Sequence, residues 1–451
     1  MTKLASSTAI AVLLSGAAYA DAHTDAFTPG EGPFDWDTYN AFAEETDLTG
    51  QSLTVTGPWT GDEKAKFDVI MAFFADATGA EVNYSGSDSF EQDIVVSARA
   101  GSAPNLAVFP QPGLAADMAS QGLLTPLPDG LDAWIAENYA AGDSWVDLAT
   151  YEGPEGEEAL YGMFYRVDLK SLVWYSPAAF DEMGYDIPQS MEELKALTDQ
   201  IVEDGGTPWC IGLGSGAATG WPATDWVEDL MLRTQPPEVY DQWVANEIPF
   251  DAPEVVNAIE EFGYFAKNDE YVSGGAQAVA STDFRDSPTG LFAIPPDCYM
   301  HRQASFIPAF FPDGTEVGED VDFFYFPAYE GEDLGSPVLG AGTLFAITNP
   351  SESAEAFLEF LKLPLAHELW MAQGGFLTAH AGVNPEAYSE DSLRAQGEIL
   401  RGATTFRFDA SDLMPGEIGA GAFWTGMVDY VTGAEASDVA TTIQERWQTL
   451  N

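Results

Sequence analysis

The side chains that could carry out covalent chemistry are few and scattered along this sequence. The four histidines are His23, His301, His367 and His380, and their spacing is not that of metal ligands. The motifs of a serine nucleophile elbow (GxSxG), a zinc protease helix (HExxH) and a phosphate-binding loop (GxxxxGKS/T) do not occur. Acids are so abundant, at 73, that counting alone does not exclude a carboxylate pair for glycoside hydrolysis. The reactive residues therefore favour non-covalent binding, and a glycoside hydrolase remains a remote alternative.

Aromatic side chains placed in loops are the clearest candidates for contact with a ligand. Trp59 follows a predicted strand in GPWTGDE, Trp221 lies in TGWPATD, and Trp424 lies in GAFWTG. Tyr299 lies in PDCYMH, and Trp174 lies in the strand-like run SLVWYS. Packing in a core is the competing interpretation for each of these rings.

Polar candidates follow the predicted strands and begin the first long helix. Asp62 and Glu63 lie at the helix start, Asp88 follows the second strand, and Phe109 and Gln111 end the third. Ligands of open α/β sheets bind outside the carboxyl ends of the strands, so these residues are expected at one cleft edge. For any single acid, a solvated surface position is the competing interpretation.

The element pattern that must position these residues alternates between strand and helix. Residues 53–56 and 81–84 read as parallel strands joined by an amphipathic helix, and a third strand covers 106–109. Further strands are expected within TPWCIGLGSG and at 290–294, and further helices at 223–233, 253–266 and 386–400.

The segment 340–380 carries the clearest secondary-structure signals of the sequence. LFAIT predicts a buried strand, and Asn349 with Pro350 predicts the start of the next helix. Gly374 and Gly375 then form a turn that brings Phe376 toward the cleft rim. The sequence thus predicts an α/β fold in which this segment returns the chain to the first lobe.

Composition limits the partners and the compartment. Against 73 acids stand 16 bases, a formal charge of −57, which disfavours nucleic acid and anionic lipid as partners. Residues 1–20 have the form of a cleavable signal peptide, which predicts a periplasmic product. In an oxidising compartment Cys210 and Cys298 are most simply one disulfide, and two buried thiols are the alternative.

The collinear order of several motifs resembles the family 1 extracellular solute-binding proteins of ABC importers, closest to the periplasmic α-glucoside-binding group. The motifs are LTVTGPWTG, ARAGSAPNLAVFPQPG, SLVWYSPAAF, GWPATDW, NPSESAEAFLEFL, FRFDASDLMP and GAFWTGMVDYVTG. The resemblance covers nearly the whole mature chain. It implies a type II, two-lobed flytrap whose discontinuous lobes are joined by a hinge of several chain crossings.

The resemblance also implies roles for individual residues. A sugar needs flat apolar surfaces for its C–H faces and polar groups for its hydroxyls. Phe423 and Trp424 match the late FW motif that stacks on sugar in maltodextrin-type members, and Tyr299 falls near a loop that supplies another ring. Arg407 and Asp409 belong to FRFDASDLMP, where a salt bridge inside the lobe is the competing role for Arg407.

The expected organisation is a signal peptide (1–20), an N-terminal arm (21–50), an N-terminal lobe (51–168 and 340–385) and a C-terminal lobe (169–339 and 386–451). The implied function is delivery of maltose-, sucrose- or trehalose-like α-glucosides to ABC permease transmembrane subunits whose ATPase is on a separate chain. A monomer without cofactor or metal is expected. Another oligosaccharide, a polyol or a glycerol phosphodiester is the alternative ligand, and a sensory partner remains open beside transport.

Overall fold

The computed structural model describes residues 27–139 and 142–450. The predicted signal peptide lies outside the described residues. Within the described ranges, no helix is both long enough and apolar enough to cross a bilayer.

The strands are β1 Ser52–Gly57, β2 Glu81–Gly86, β3 Leu106–Phe109, β4 Thr150–Glu152, β5 Glu158–Leu160, β6 Met163–Leu169, β7 Leu172–Tyr175, β8 Met300–Arg302, β9 Asp322–Tyr325, β10 Pro337–Ile347 and β11 Thr405–Phe408.

The helices of the first half are α1 Trp36–Glu45, α2 Gly61–Thr78, α3 Phe90–Arg99, α4 Pro112–Ser120, α5 Leu131–Asn138, α6 Gly142–Ala149, α7 Pro177–Met183, α8 Met191–Glu203 and α9 Trp221–Thr234. Those of the second half are α10 Pro237–Val244, α11 Pro253–Ala266, α12 Ala276–Val279, α13 Glu352–Leu361, α14 Pro364–Met371, α15 Asp391–Gly402, α16 Ala410–Leu413, α17 Trp424–Val431 and α18 Ala436–Gln448. A π-helix, Ile418–Phe423, leads directly into α17.

The main sheet has the order β11-β10-β3-β1-β2, and β6 also pairs with β10. β1 is parallel to both β2 and β3, so the predicted βαβ unit is confirmed. β10 is buried along its whole length because it pairs with β3 and β6 while helices cover the sheet. A second sheet, β8-β7-β9, is antiparallel.

Two hydrophobic cores organise the chain. One surrounds the main sheet, and the other surrounds α9, α11 and α18. Up to Leu172 the members of these cores belong to the first, and from Ala410 onward they belong to the second. The segment between them contributes to both, with Val173 in the second core and Trp174 in the first. The strand β10 joins the two cores, with Leu339 in the second and Leu344 in the first. The exact lobe bounds expected from the sequence stay a prediction.

Two predicted strands are wrong. The segment TPWCIGLGSG forms only isolated bridges, because Trp209 N–H donates to Tyr271 while Cys210 N–H donates to Met300, and no single partner strand runs beside it. Residues 287–292 form a 3₁₀ helix that Pro288 helps to begin, in place of a strand at 290–294.

The helix after β10 begins two residues later than predicted. Ser351 is its N-cap, and the Ser351 hydroxyl accepts a hydrogen bond from Ala354 N–H at 3.1 Å. Asn349 instead bonds through its backbone to Asn105, which ties the loop to β3. The Ser351 hydroxyl lies three residues before the free N–H of Ala354, which is the spacing of an N-cap, whereas the side-chain amide of Asn349 lies two residues further away.

The predicted disulfide is confirmed: Cys210 and Cys298 are bonded, with their Cα atoms 5.4 Å apart. Both residues are buried, and they tie the segment after α8 to the chain before β8. The bond closes a loop of 88 residues and thereby restricts the unfolded chain.

We expect replacement of both cysteines by serine to lower the free energy of unfolding by about 2–4 kcal/mol, because the unfolded chain regains the entropy of that loop. Urea unfolding followed by circular dichroism measures the loss. The double variant should be insensitive to added reductant, whereas the parent protein should be sensitive. An unchanged urea midpoint in the double variant contradicts the expectation.

Candidate ligand-binding site

A cavity of about 900 Å³, including the part open to solvent, lies beside the first core, to which Trp59, Phe284 and Ala341 of its lining belong. Its lining comes from the loops after β1, β2 and β3, from the start of α9 and from the loop before the 3₁₀ helix of residues 287–292. The strands β6 and β10, with the start of α16, form its floor.

Aromatic rings form two walls of the cavity. On one side Trp59 packs edge-to-face against Trp370, 4.8 Å between centroids. On the other side Trp221 packs against Phe284 at 4.9 Å, and Trp424 lies close by. The rings are thus held by their own aromatic neighbours and present fixed apolar surfaces to the cavity.

Two glycines allow close backbone approaches beside the cavity. Gly220 has a φ of +118°, and a Cβ there would lie 2.2 Å from the backbone oxygen of Trp424. Gly419 lies in the π-helix, and a Cβ there would lie 1.7 Å from the backbone oxygen of Ser411. A larger residue at Gly220 would push the start of α9 away from α17, and a larger residue at Gly419 would push the π-helix away from α16.

Each of the three basic residues that line the cavity is already ion-paired. Arg166 bonds to Glu63 at 2.6 Å and to Asp168 at 2.9 Å. Arg285 bonds to Asp88 at 2.7 Å across the mouth of the cleft. Lys170 bonds to Asp225 at 2.8 Å and also to Asp409.

The cavity therefore offers no unpaired cation among the described residues. It has six acids, namely Glu63, Asp88, Glu91, Asp168, Asp225 and Asp412, against those three bases. An anionic ligand would meet a net negative lining and would have to break an existing pair.

Buried carboxylates surround Lys170 below the cavity floor. Burial raises the pKa of Asp225, Glu228 and Asp409 to about 7 each, although the Lys170 ammonium works in the opposite direction. Oxygens of these three carboxylates lie within 4.8 Å of one another, an arrangement that could hold a cation. The ammonium of Lys170 already supplies that positive charge.

Four polar atoms around the cavity are buried and have no hydrogen-bond partner among the described residues. They are Gln111 Oε1, Asp225 Oδ2, Thr343 Oγ1 and Trp424 Nε1. A buried polar atom without a partner costs about 1–3 kcal/mol, so such atoms mark places where a ligand can donate or accept. Together they offer acceptors and donors on several sides of one space, which suits a molecule with several hydroxyl groups.

Six residues singled out from the sequence come together at this cavity: Trp59, Glu63, Asp88, Gln111, Trp221 and Trp424. The first four follow β1, β2 and β3, as expected for the carboxyl ends of parallel strands.

Four others lie within the cores and away from the lining. Phe109 packs on Phe90, and Phe376 stacks on Trp370 at 5.1 Å. The indole N–H of Trp174 donates to the backbone oxygen of Gln303. Tyr299 packs edge-to-face on a neighbouring tyrosine of the second core.

Three charged candidates also lie outside the lining. Asp62 forms an exposed ion pair with Lys66, and Arg407 forms a two-bond ion pair with Asp241 on the surface. Asp409 is fully buried behind Lys170. We do not carry these seven residues into the proposed site as ligand contacts.

The residues that form the floor of the cavity were not predicted from the sequence. Arg166 and Asp168 alternate along β6, Lys170 continues the alternation directly after it, and all three line the cavity. A period of two places such residues on one face of a strand, so the run RVDLK carried a readable signal. Asp412, three residues after Asp409, and Arg285, at the cleft mouth, gave no local signal.

Comparison with known proteins bears on this site. The family described as bacterial extracellular solute-binding protein matches residues 57–367. The alpha-glucosides-binding periplasmic protein AglE of Rhizobium meliloti is 61% identical over 94% of this chain and 93% of its own length. The osmoprotective compounds-binding protein GgtB of Synechocystis is 43% identical over 88% of this chain and 92% of its own.

Among solved structures, the bacterial solute receptor AcbH, described as exclusive for β-D-galactopyranose, superposes with a TM-score of 0.75. It is 20% identical and covers 89% of this chain and 99% of its own. That likeness shows the fold, which is the two-lobed α/β architecture of type II binding proteins, as predicted. The chain belongs to the family of bacterial extracellular solute-binding proteins of ABC importers, and it is a binding protein rather than an enzyme.

Proposed function

We propose that this protein is the periplasmic component of an ABC sugar importer and binds α-glucosides between its two lobes. The observation that carries the proposal is the set of four buried, unpartnered polar atoms that surround a cavity with aromatic walls. Hydroxyl groups satisfy such atoms, and the C–H faces of a sugar ring pack on indole faces. The name of the relative with 61% identity supports α-glucosides as the sugar class.

The charge of the cavity lining favours neutral ligands over anionic ones. Because Arg166, Lys170 and Arg285 are already paired with carboxylates, a phosphodiester would find no free cation in the lining. This disfavours glycerol phosphodiesters. A neutral polyol is the second candidate, and the relative named for osmoprotective compounds favours it.

The proposal includes the partners expected from the family. The protein acts as a monomer in the periplasm after removal of the signal peptide. Ligand that contacts both lobes shifts the population to the closed form, which then docks on the transmembrane subunits of the permease.

A thermal-shift panel tests the ligand class. Maltose, sucrose and trehalose at millimolar concentration should raise the melting temperature by a few degrees, because a ligand that binds only the native state stabilises it. Neutral polyols should give smaller shifts, and glycerol phosphodiesters should give none. A shift with phosphodiesters alone, or release of monosaccharides from a bound disaccharide, argues against the proposal.

Replacing Trp424 tests whether its indole N–H takes part in binding. Trp424→Phe keeps most of the apolar surface but removes the buried donor, and we expect sugar affinity to fall about tenfold, the worth of one good hydrogen bond. Isothermal titration calorimetry measures the dissociation constant.

The matched control is Trp134→Phe, because Trp134 packs on Tyr139 and His380 in the first core, away from the cavity. Its affinity should equal that of the parent protein. If Trp424→Phe folds normally and titrates like the parent, the indole N–H is not a ligand contact.

A further inference from the structure

The lysine–carboxylate cluster comprises Lys170, Asp225, Glu228, Asp409 and Asp412. It joins three parts of the chain: the residue after β6, the helix α9 and the segment that enters α16. Its front, formed by Lys170, Asp225 and Asp412, faces the ligand cavity. Its back, formed by Glu228 and Asp409, is fully buried.

The charges of the cluster do not balance if every carboxyl group is ionised. One ammonium faces four carboxylates, and the nearby arginines are committed elsewhere. Arg233 of α9 and Arg302 of β8 both pair with Asp229, whose other contact is the Ser171 hydroxyl.

The remaining neighbours do not supply a positive charge either. Tyr240 of α10 uses its hydroxyl to donate to the backbone oxygen of Phe408. Arg166 and Asp168, on the strand β6 that precedes Lys170, are paired with each other. Excess negative charge in a dry site is neutralised at lowest cost by a bound proton.

The free oxygen atoms of the cluster show where protons can be held. Asp225 Oδ2, Glu228 Oε2 and Asp409 Oδ1 are buried and have no partner among the described residues. The other oxygen of Glu228 accepts from Ser411 N–H at 2.9 Å, and the other oxygen of Asp225 accepts from Lys170. Burial raises the pKa of these three carboxyl groups to about 7, so protons exchange there near neutral pH.

We propose that this cluster couples ligand binding to proton release, with Asp225 as the group that contacts the ligand and with Asp409 and Glu228 as positioning residues that act through Asp225. The proposal rests on the proposed function, because it requires a hydroxyl group of the ligand at Asp225 Oδ2. The proton leaves the cluster for the solvent as that hydroxyl group donates to the carboxylate.

The sign of the effect follows from the hydrogen bond. A donor to Asp225 stabilises the ionised form and lowers the proton affinity of the cluster in the complex. The protonated cluster must lose its proton on binding. Sugar affinity therefore increases as the pH is raised through about 7 and decreases as the pH is lowered through the same range. If binding lowers the apparent pKa by about one unit, affinity increases about fivefold from pH 6 to pH 8.

Calorimetric titration of the tightest-binding sugar among maltose, sucrose and trehalose tests the proposal. Titrations at pH 7 in phosphate and in Tris buffer measure the number of protons released, because the two buffers differ in ionisation heat. We expect release of up to about half a proton per ligand at pH 7. Dissociation constants at pH 6, 7 and 8 give the affinity profile independently.

The variants Asp409→Asn and Glu228→Gln test whether these two residues influence the protonation of Asp225 or only support the fold. Each removes a negative charge next to Asp225 without touching the cavity lining, and in Glu228→Gln the side-chain amide oxygen can still accept from Ser411 N–H. We expect each to flatten the pH profile and reduce proton release, with affinity at pH 8 within about threefold of the parent. A purely structural role would weaken binding equally at every pH and leave the proton count unchanged.

Glu359→Gln is the matched control, since Glu359 is an exposed acid paired with Lys362 in the first lobe. It should keep the parent profile. Glu91 is a half-buried carboxyl group at the cavity whose pKa is raised by desolvation, and its proton would persist in the two cluster variants.

Three results would overturn the inference. Sugar binding with constant affinity from pH 6 to pH 8 and no proton exchange overturns it and leaves the proposed function standing. Tighter binding at pH 6 than at pH 8 also overturns the inference, because it means that protons are taken up on binding, and it leaves the proposed function standing. Absence of binding by any of the three sugars at any pH overturns both.

Discussion

The ion pairs of Lys170 with Asp225 and Asp409 are the interaction on which the site depends. They join the residue after β6 to α9 and to the segment that enters α16, all close to where the chain passes between its two cores. All three side chains are buried, so loss of Lys170 would leave the two carboxylates without a compensating charge, at a cost of about 3–5 kcal/mol. The floor of the cavity and the relation of the two cores are therefore held by the same contacts.

The walls of the cavity follow a different physical rule from its floor. Aromatic side chains there are braced by other rings, as Trp59 is by Trp370 and Trp221 is by Phe284. Bases in the lining are neutralised by acids, so the polar groups left for a ligand are mostly neutral dipoles and one carboxylate oxygen. Such a lining recognises the shape and the hydroxyl groups of a ligand. Its charge disfavours anionic ligands.

Local pattern was sufficient for part of the site. Asp88 and Gln111 could be placed because parallel strands bring their carboxyl ends to one edge of a sheet. The alternation of Arg166 and Asp168 along β6 with Lys170 just after it carried a similar signal, although it was not used. Arg407 and Asp409 show where this reasoning ends. They are two residues apart in one motif, yet Arg407 pairs with Asp241 at the surface and Asp409 is buried behind Lys170.

The sequence by itself determined the α/β class, the parallel βαβ unit and the family, and it favoured a disulfide of Cys210 with Cys298 over two free thiols. These follow from periodicity, from the presence of two cysteines only, and from the order of motifs along the chain. Only the tertiary structure decided which aromatic rings face the cavity and which, like Trp174 and Phe376, lie in a core. The physical reason is that a periodic pattern specifies that a face is apolar, whereas the surface that covers this face depends on packing between distant segments.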